Sequence, residues 1–269
     1  MSVLYASPFY NYNLTTGTPF SNQIEGAAIS ANGYVYCANY FPIQDSTNLT
    51  LYGPKSTFIT NSTAINTIGF FDPQNASMSG LFYEDTDVTT HFNGLYFLSD
   101  DVSRLVRQAR QVNETGGLLF AADKDNQRIL GLDLSSSPPT RFIHCSDKNM
   151  LMGVPNDLVV SPKGYTYSSG QIYRANTTAG DGQVWMCTPN GTAIQQLSST
   201  KLGRTNGIAL DSQGEYLYLS ESFNANGAVV VNRIWKLSIG SDGTLSNTSS
   251  TPFTTLAADI GGGKQRGDN

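Results

Sequence analysis

Three residues with oxygen-bearing side chains stand at equivalent points of a repeated pattern: Glu25, Asn156 and Asn206. Each comes directly before a short apolar segment with the composition of a β-strand. One carboxylate and two amide carbonyls together suit a hard cation such as Ca²⁺, which takes several oxygen ligands and tolerates neutral ones. Zn²⁺ or copper would need imidazole or thiolate groups, which these positions lack. The three residues are therefore candidate ligands of a calcium ion.

The same residues also have a simpler interpretation as turn residues. An asparagine before a strand usually helps a turn, and Asn206-Gly207 alone is a hairpin signal. However, each repeat already has a turn of its own further along the chain, at Asn32-Gly33, Lys163-Gly164 and Gln213-Gly214. The common position of the three residues therefore favours a shared function.

The repeat that relates these residues has an offset of 50 residues in its clearest part. Residues 155–164 fall on residues 205–214, and the same offset places Val184-Trp185 on Ile234-Trp235. Residues 24–36 match the first half of the unit, residues 116–133 resemble its second half, and residues 65–83 give a fainter copy. Units of this length, built of short strands and glycine turns, are typical of β-propeller blades. The sequence therefore predicts an all-β propeller, in which the first strand of each blade lines the central channel and brings equivalent residues together.

The residues of the three motifs resemble a known family. Residues 25–30, 155–164 and 205–221 are similar to the senescence marker protein, gluconolactonase and luciferin-regenerating enzyme family. The resemblance implies a six-bladed propeller with one divalent metal, usually calcium, in its channel. It implies that Glu25 and Asn206 are metal ligands, that Asn156 contacts metal or substrate, and that Asp157 faces the substrate. It also implies that Asp268 is the remaining metal ligand and the catalytic base.

Three positions depart from the family pattern. Gly26-Ala27 stands where Gly-Pro is frequent, Val154 replaces an arginine that binds substrate in some members, and Ser168-Ser169-Gly170 replaces a segment that commonly includes an aspartate. The metal site therefore transfers to this chain better than the substrate pocket does. The implied activity is calcium-dependent hydrolysis of lactones or related esters. The alternative is a non-catalytic secreted propeller that serves as a binding or interaction module.

The spacing of the motifs predicts one propeller domain over residues 21–269, preceded by an N-terminal segment of residues 1–20. In the family order, Glu25, Asn156, Asn206 and Asp268 open the first, third, fourth and fifth blades. We therefore expect four to five blades of an incomplete six-bladed propeller. Because an open propeller exposes blade faces and leaves Asp268 near a chain end, we expect the 269 residues alone to be inactive or poorly folded.

Composition excludes several classes of partner and site. The formal net charge of −5 argues against nucleic acid and anionic membranes, and no apolar run is long enough to span a bilayer. Two histidines are too few for a histidine-rich zinc site. Eight N-glycosylation sequons slightly favour the secretory pathway, although the N-terminus has no signal-peptide pattern. The compartment and the oligomeric state stay open.

The remaining chemically active residues are interpreted as structural. His91 and His144 lie outside the repeated positions, Trp185 and Trp235 are expected in the core, and Cys37 is expected to be a buried thiol. Cys145 and Cys187 could pair in an oxidising compartment. The acidic residues 84–87 are expected in a solvated loop. Residues 101–112 have helical spacing and are interpreted as a short helix or irregular strand in an insertion between blades.

Overall fold

The computed structural model describes residues 24–39, 66–87, 89–112, 115–146, 152–172, 174–198, 202–226, 228–246 and 252–256. Within these residues the chain forms four antiparallel sheets, in which consecutive strands pair, except that the last strand pairs with the strand two before it. This confirms the predicted all-β propeller architecture. The predicted N-terminal segment, residues 1–20, and Asp268 lie outside the described residues. No helix in the described part of the chain has the length and apolar character needed to cross a membrane.

Each sheet is one blade, with four strands in the first three blades and three strands with a short outer edge in the fourth. The first blade contains β1 (Ile24–Ile29), β2 (Val35–Asn39), β3 (Thr67–Asp72) and β4 (Asn75–Glu84). The second contains β5 (Phe92–Phe97), β6 (Leu118–Asp123), β7 (Arg128–Asp133) and β8 (Thr140–Ser146). The third contains β9 (Pro155–Val160), β10 (Thr166–Gln171), β11 (Gly182–Cys187) and β12 (Ala193–Ser198). The fourth contains β13 (Arg204–Leu210), β14 (Tyr216–Ala225) and β15 (Ala228–Ile239), whose outer edge pairs with both β16 (Leu245–Ser246) and β17 (Thr254–Leu256).

The blades are held together by apolar faces that pack between neighbours. All six residues of β6 are buried, because a blade with neighbours on both sides buries both faces of its strands. Leu119 packs towards the first blade, and Phe120, the next residue, packs towards the third. The residues that meet between blades include Tyr36 and Ile68 with Leu119 and Leu132, Phe120 and Ile129 with Leu158 and Trp185, and Tyr167 and Met186 with Leu217 and Leu219.

The predicted turns between the first two strands of a blade are confirmed. Gly33, Gly164 and Gly214 have positive φ values of 85°, 81° and 69°, which glycine adopts without steric cost. The interpretation of residues 65–83 as a separate, fainter repeat is wrong. Residues 67–72 and 75–84 form β3 and β4, the outer strands of the first blade.

The helical spacing near residue 101 corresponds to a helix, α1 (Asp100–Ala109), whose N-terminus is capped by the Ser99 side chain. Its predicted place between blades is wrong, because α1 connects β5 to β6 within the second blade. The side chain of Arg107 anchors the helix. This side chain is 2% exposed, and its guanidinium donates to both carboxylate oxygens of Asp133, at 2.6 and 2.8 Å. The same ion pair holds the pKa of Asp133 well below its usual range.

The prediction that residues 84–87 form a solvated loop is wrong for Asp85, which is buried, although Glu84 and Thr86 are exposed. The carboxylate of Asp85 is buried and lies 3.1 Å from a guanidinium nitrogen of Arg141. Asp87 pairs with Arg128 at 2.9 Å. Hydrogen bonds from Thr89 and Arg128 hold the pKa of Asp87 well below its usual range. The stretch joins the edge of the first blade to the second blade by charge pairs.

Two of the three cysteines form a disulfide and the third is a free thiol, as the sequence analysis allowed. Cys145 in β8 and Cys187 in β11 form a disulfide with Cα atoms 6.1 Å apart, which links the second blade to the third. Cys37 is a buried free thiol, as expected, and burial raises its pKa to about 11. Trp185 is buried and Trp235 is partly buried in the faces between blades, which confirms their predicted core positions.

His144, beside the disulfide, makes stability depend on pH. Its ring stacks on Phe120 with centroids 4.1 Å apart, and burial, with a smaller contribution from the Arg110 guanidinium, lowers its pKa from 6.5 to about 3. The folded state therefore stays neutral at this position where the unfolded state takes up a proton. The stability that this residue contributes is complete above pH 6.5 and is lost as the pH falls towards 3.

We expect His144→Phe to remove this pH dependence while keeping the stacked ring. The wild-type free energy of unfolding should fall by about 2 kcal/mol from this residue between pH 7 and pH 5, and the variant should lack that loss. Urea denaturation at the two pH values measures the difference. Parallel losses in both proteins would contradict the assignment of the effect to His144.

Candidate functional site

The same irregularity occurs in the first strand of all four blades. At one point of each inner strand, two consecutive residues oppose a single residue of the second strand, which is the pattern of a β-bulge. The pairs, each with the residue opposite it, are Glu25-Gly26 with Ala38, Asn93-Gly94 with Ala122, Asn156-Asp157 with Ser169, and Asn206-Gly207 with Ser220. The first member of each pair, Glu25, Asn93, Asn156 or Asn206, is called here a bulge residue. Bulges redirect side chains and are frequent next to functional sites.

The structure thus places three of the predicted site residues at one register position. Glu25, Asn156 and Asn206 are all bulge residues. The fourth bulge residue, Asn93, was missed by the sequence analysis. Its signal is the segment Asn93-Gly94-Leu95, which has the same form as Asn206-Gly207-Ile208. The offset of 50 residues does not align Asn93 with Asn156, because α1 lengthens the second blade.

The inner strands lie side by side in chain order: β1 contacts β5, β5 contacts β9, and β9 contacts β13. This order explains how far each bulge residue is exposed. Asn93 and Asn156 are only 1% and 6% exposed, since β5 and β9 each have an inner strand on both sides. Glu25 and Asn206 are exposed, since β1 and β13 lie at the two ends of the described row. The four bulge residues therefore lie at the same position along their inner strands.

Glycine after the bulge residue permits this close packing. A Cβ on Gly26 would lie 2.0 Å from the carbonyl oxygen of Asn93, and a Cβ on Gly94 would lie 2.8 Å from that of Asn156. Such distances are far inside van der Waals contact. The bulges of neighbouring blades therefore touch through their backbones, and the position after the bulge residue is restricted in both strands.

Asp157 takes the place of this glycine in the third blade and makes a different contact. Its Oδ2 accepts a hydrogen bond from the backbone N–H of Ile208 in β13 at 3.2 Å, and its Oδ1 accepts one from Leu158 at 2.9 Å. Burial raises the pKa of Asp157, and the two hydrogen bonds partly oppose that shift. The carboxylate therefore clamps the third blade to the fourth, and its role towards substrate stays a prediction.

His91 lies two residues before Asn93 and is held by acids of its own blade. Its Nδ1 is 2.8 Å from Asp125 Oδ2, and its backbone N–H donates to Asp123 Oδ1 at 3.0 Å. These contacts agree with its interpretation as a structural residue. His144, in β8, is packed between the second and third blades and lies apart from the bulges.

The donors at the bulges are oxygens of one carboxylate and of amides. Among the described residues there is no group of three or more His, Cys, Asp or Glu side chains that could hold a metal ion. A site built mainly of neutral oxygens does not suit zinc or copper, and it does suit Ca²⁺, which accepts amide carbonyls beside a carboxylate. The residues present therefore fit a calcium ion, with Asp268 outside the described part of the chain.

Fold and site together define a β-propeller in which each inner strand of the described blades has a polar bulge residue at the same position. The family model described as the SMP-30/Gluconolactonase/LRE-like region matches residues 84–259. The chain belongs to this family. A comparison with curated proteins finds no match.

One of the similar solved structures supports the fold. A luciferin-regenerating enzyme matches with 12% identity and a TM-score of 0.50 over 83% of this chain and 58% of that one. A protein from Bacteroides uniformis, provisionally described as a 6-phosphogluconolactonase, matches with 13% identity and a TM-score of 0.49 over 87% of this chain and 57% of that one. This chain thus spans less than two thirds of the length of either structure.

Proposed function

We propose that the protein is a lactonase-type hydrolase that acts on lactones or related esters with a divalent cation, Ca²⁺, held by Glu25, Asn156, Asn206 and Asp268. The observation that carries the proposal is the repeated bulge, which gives a carboxylate and amides the same register in four successive blades. Membership in the gluconolactonase-like family supports the same reaction class.

In this proposal Glu25, Asn156 and Asn206 hold the cation together with Asp268. A bound cation would supply Lewis acidity at the substrate carbonyl. Glu25 contributes the negative charge that retains the ion, whereas the two asparagines contribute oxygens without charge, so the ion is not neutralised. Asp268 accepts a proton from the water as the water oxygen bonds to the carbonyl carbon, and it gives that proton to the alcohol oxygen as the ester C–O bond breaks.

Asn156 and Asp157 are proposed to contact the substrate from the third blade. Asp157 is already fixed by its hydrogen bonds to Leu158 and Ile208, so its carboxylate is held in one orientation. The low exposure of Asn156 keeps its amide out of bulk water. Groups that are oriented before substrate arrives bind the transition state without a reorganisation cost.

The test is hydrolysis of a panel of γ-lactones, δ-lactones and aryl esters by the protein, with calcium and after chelation. We expect turnover of at least one lactone, loss of turnover on chelation, and recovery when calcium is restored. Glu25→Gln should lower kcat/KM by about 100-fold, as expected when a group that positions transition-state charge is removed. A folded, calcium-bound protein that hydrolyses none of these substrates would overturn the proposal in favour of a non-catalytic binding propeller.

A further inference from the structure

The side chain of Asn93 is almost completely buried and its amide nitrogen has no partner. The residue is 1% exposed. Its Nδ2 has no hydrogen-bond acceptor among the described residues. An amide nitrogen carries two N–H donors, and a buried donor that is left unpaired is costly. Asn93 is thus a hydrogen-bond donor at a bulge, held without an acceptor from the part of the chain that the structure describes.

The fold does not require this side chain. The bulge of the second blade recurs in the first blade with a glutamate at the same position, so an asparagine is not needed to form it. The close approach of the inner strands depends on Gly26 and Gly94 and on the backbone carbonyl of Asn93. A leucine of similar shape at position 93 would keep the backbone and remove the unpaired donor.

The neighbouring buried asparagine at the end of β2 shows the contrast. Asn39 is 2% exposed, and its Nδ2 donates to Thr67 Oγ1 at 2.7 Å. It is an ordinary structural asparagine, whose donor has a partner in the protein. Asn93 has the same burial and no such partner, which points to a ligand as the acceptor.

We propose that Asn93 is a substrate-binding residue, whose Nδ2 donates a hydrogen bond to a carboxylic ester or lactone oxygen, or to the carboxylate of the product, held at the bulge residues. This inference rests on the proposed function. The Nδ2 group of Asn93 is a donor and cannot ligate a cation, so we assign it to a substrate oxygen, while Glu25, Asn156 and Asn206 hold the ion. Such a donor also favours the negative charge that develops on the carbonyl oxygen during attack.

The test compares Asn93→Leu with Asn39→Leu. Without ligand, Asn93→Leu should unfold at the same or a higher temperature than wild type, because it removes an unpaired buried donor. Asn39→Leu should unfold at a lower temperature, because it removes a donor that has a partner. Calcium affinity of Asn93→Leu should stay within about twofold of wild type, while kcat/KM for the best lactone should fall by about 100-fold.

Binding of D-gluconate, a product-type carboxylate, separates the two proposals. If wild type binds calcium but hydrolyses no lactone, the proposed function fails. The inference then stands if gluconate raises the unfolding temperature of calcium-loaded wild type and not that of Asn93→Leu. Loss of calcium binding or of stability in Asn93→Leu, an unchanged kcat/KM, or an equal or absent gluconate shift in both proteins would overturn the inference.

Discussion

Gly26→Ala is expected to cause a large loss of stability from one added methyl group. The added Cβ would lie 2.0 Å from the carbonyl oxygen of Asn93 and 2.6 Å from Cα of Gly94. Both atoms belong to the backbone of β5, so no side-chain rotation relieves the clash, and the φ of +49° adds strain for any residue with a Cβ. The first two inner strands must separate. We expect a loss of about 3–5 kcal/mol in the free energy of unfolding, measured by urea denaturation.

Gly33→Ala is the matched control for this prediction. Gly33 also has a positive φ, of 85°, but a Cβ there would meet nothing within 4 Å. Gly33→Ala should lower the free energy of unfolding only by the backbone strain, about 1–2 kcal/mol. The difference between the two variants then measures the contact between the blades. Equal losses for both would show that β1 and β5 do not pack as described.

The second large effect is expected on cation affinity, where Glu25→Gln and Asn206→Asp should act in opposite directions. The first removes a negative charge from the bulge residues and the second adds one. The interaction between two charges near a protein surface is several kcal/mol at contact distance, so the change in calcium dissociation constant should be on the order of 100-fold for Glu25→Gln. Asn206→Asp should tighten binding by about tenfold.

Isothermal titration of calcium measures both variants. Glu84→Gln makes the same change of charge at an exposed residue on the outer strand of the first blade, and it should leave the affinity unchanged. Similar, small effects of Glu25→Gln and Asn206→Asp would show that the two side chains are parts of turns and do not bind an ion.

The sequence predicted the parts of the fold that recur at a regular spacing. The shared spacing of Asn156 with Asn206, and of Trp185 with Trp235, is produced by blades of equal construction, so a comparison of the chain with itself could find it. Glu25 could be assigned to the same position because its segment repeats the same strand and glycine turn. Asn93 has the same local pattern, yet α1 lies between β5 and β6 and moves the rest of the second blade out of step.

Contacts between distant residues could not be predicted in this way. The burial of Asp85 depends on Arg141, which follows 56 residues later and comes from another blade. The pairing of Cys145 with Cys187 depends on the packing of β8 against β11. The clamp of Asp157 on Ile208 depends on the placement of β13 beside β9. Each of these needs the relative position of two blades, which periodicity does not encode.

The most direct test of the central claim is the unfolding temperature of wild type as calcium is added. An ion that binds only the folded state stabilises it by about 2.7 kcal/mol at a hundredfold excess over its dissociation constant. We therefore expect the midpoint to rise steadily with calcium, to return on chelation, and to respond much less in Glu25→Gln. A folded wild-type protein whose midpoint does not change with calcium would contradict the assignment of Glu25, Asn156 and Asn206 as a cation site.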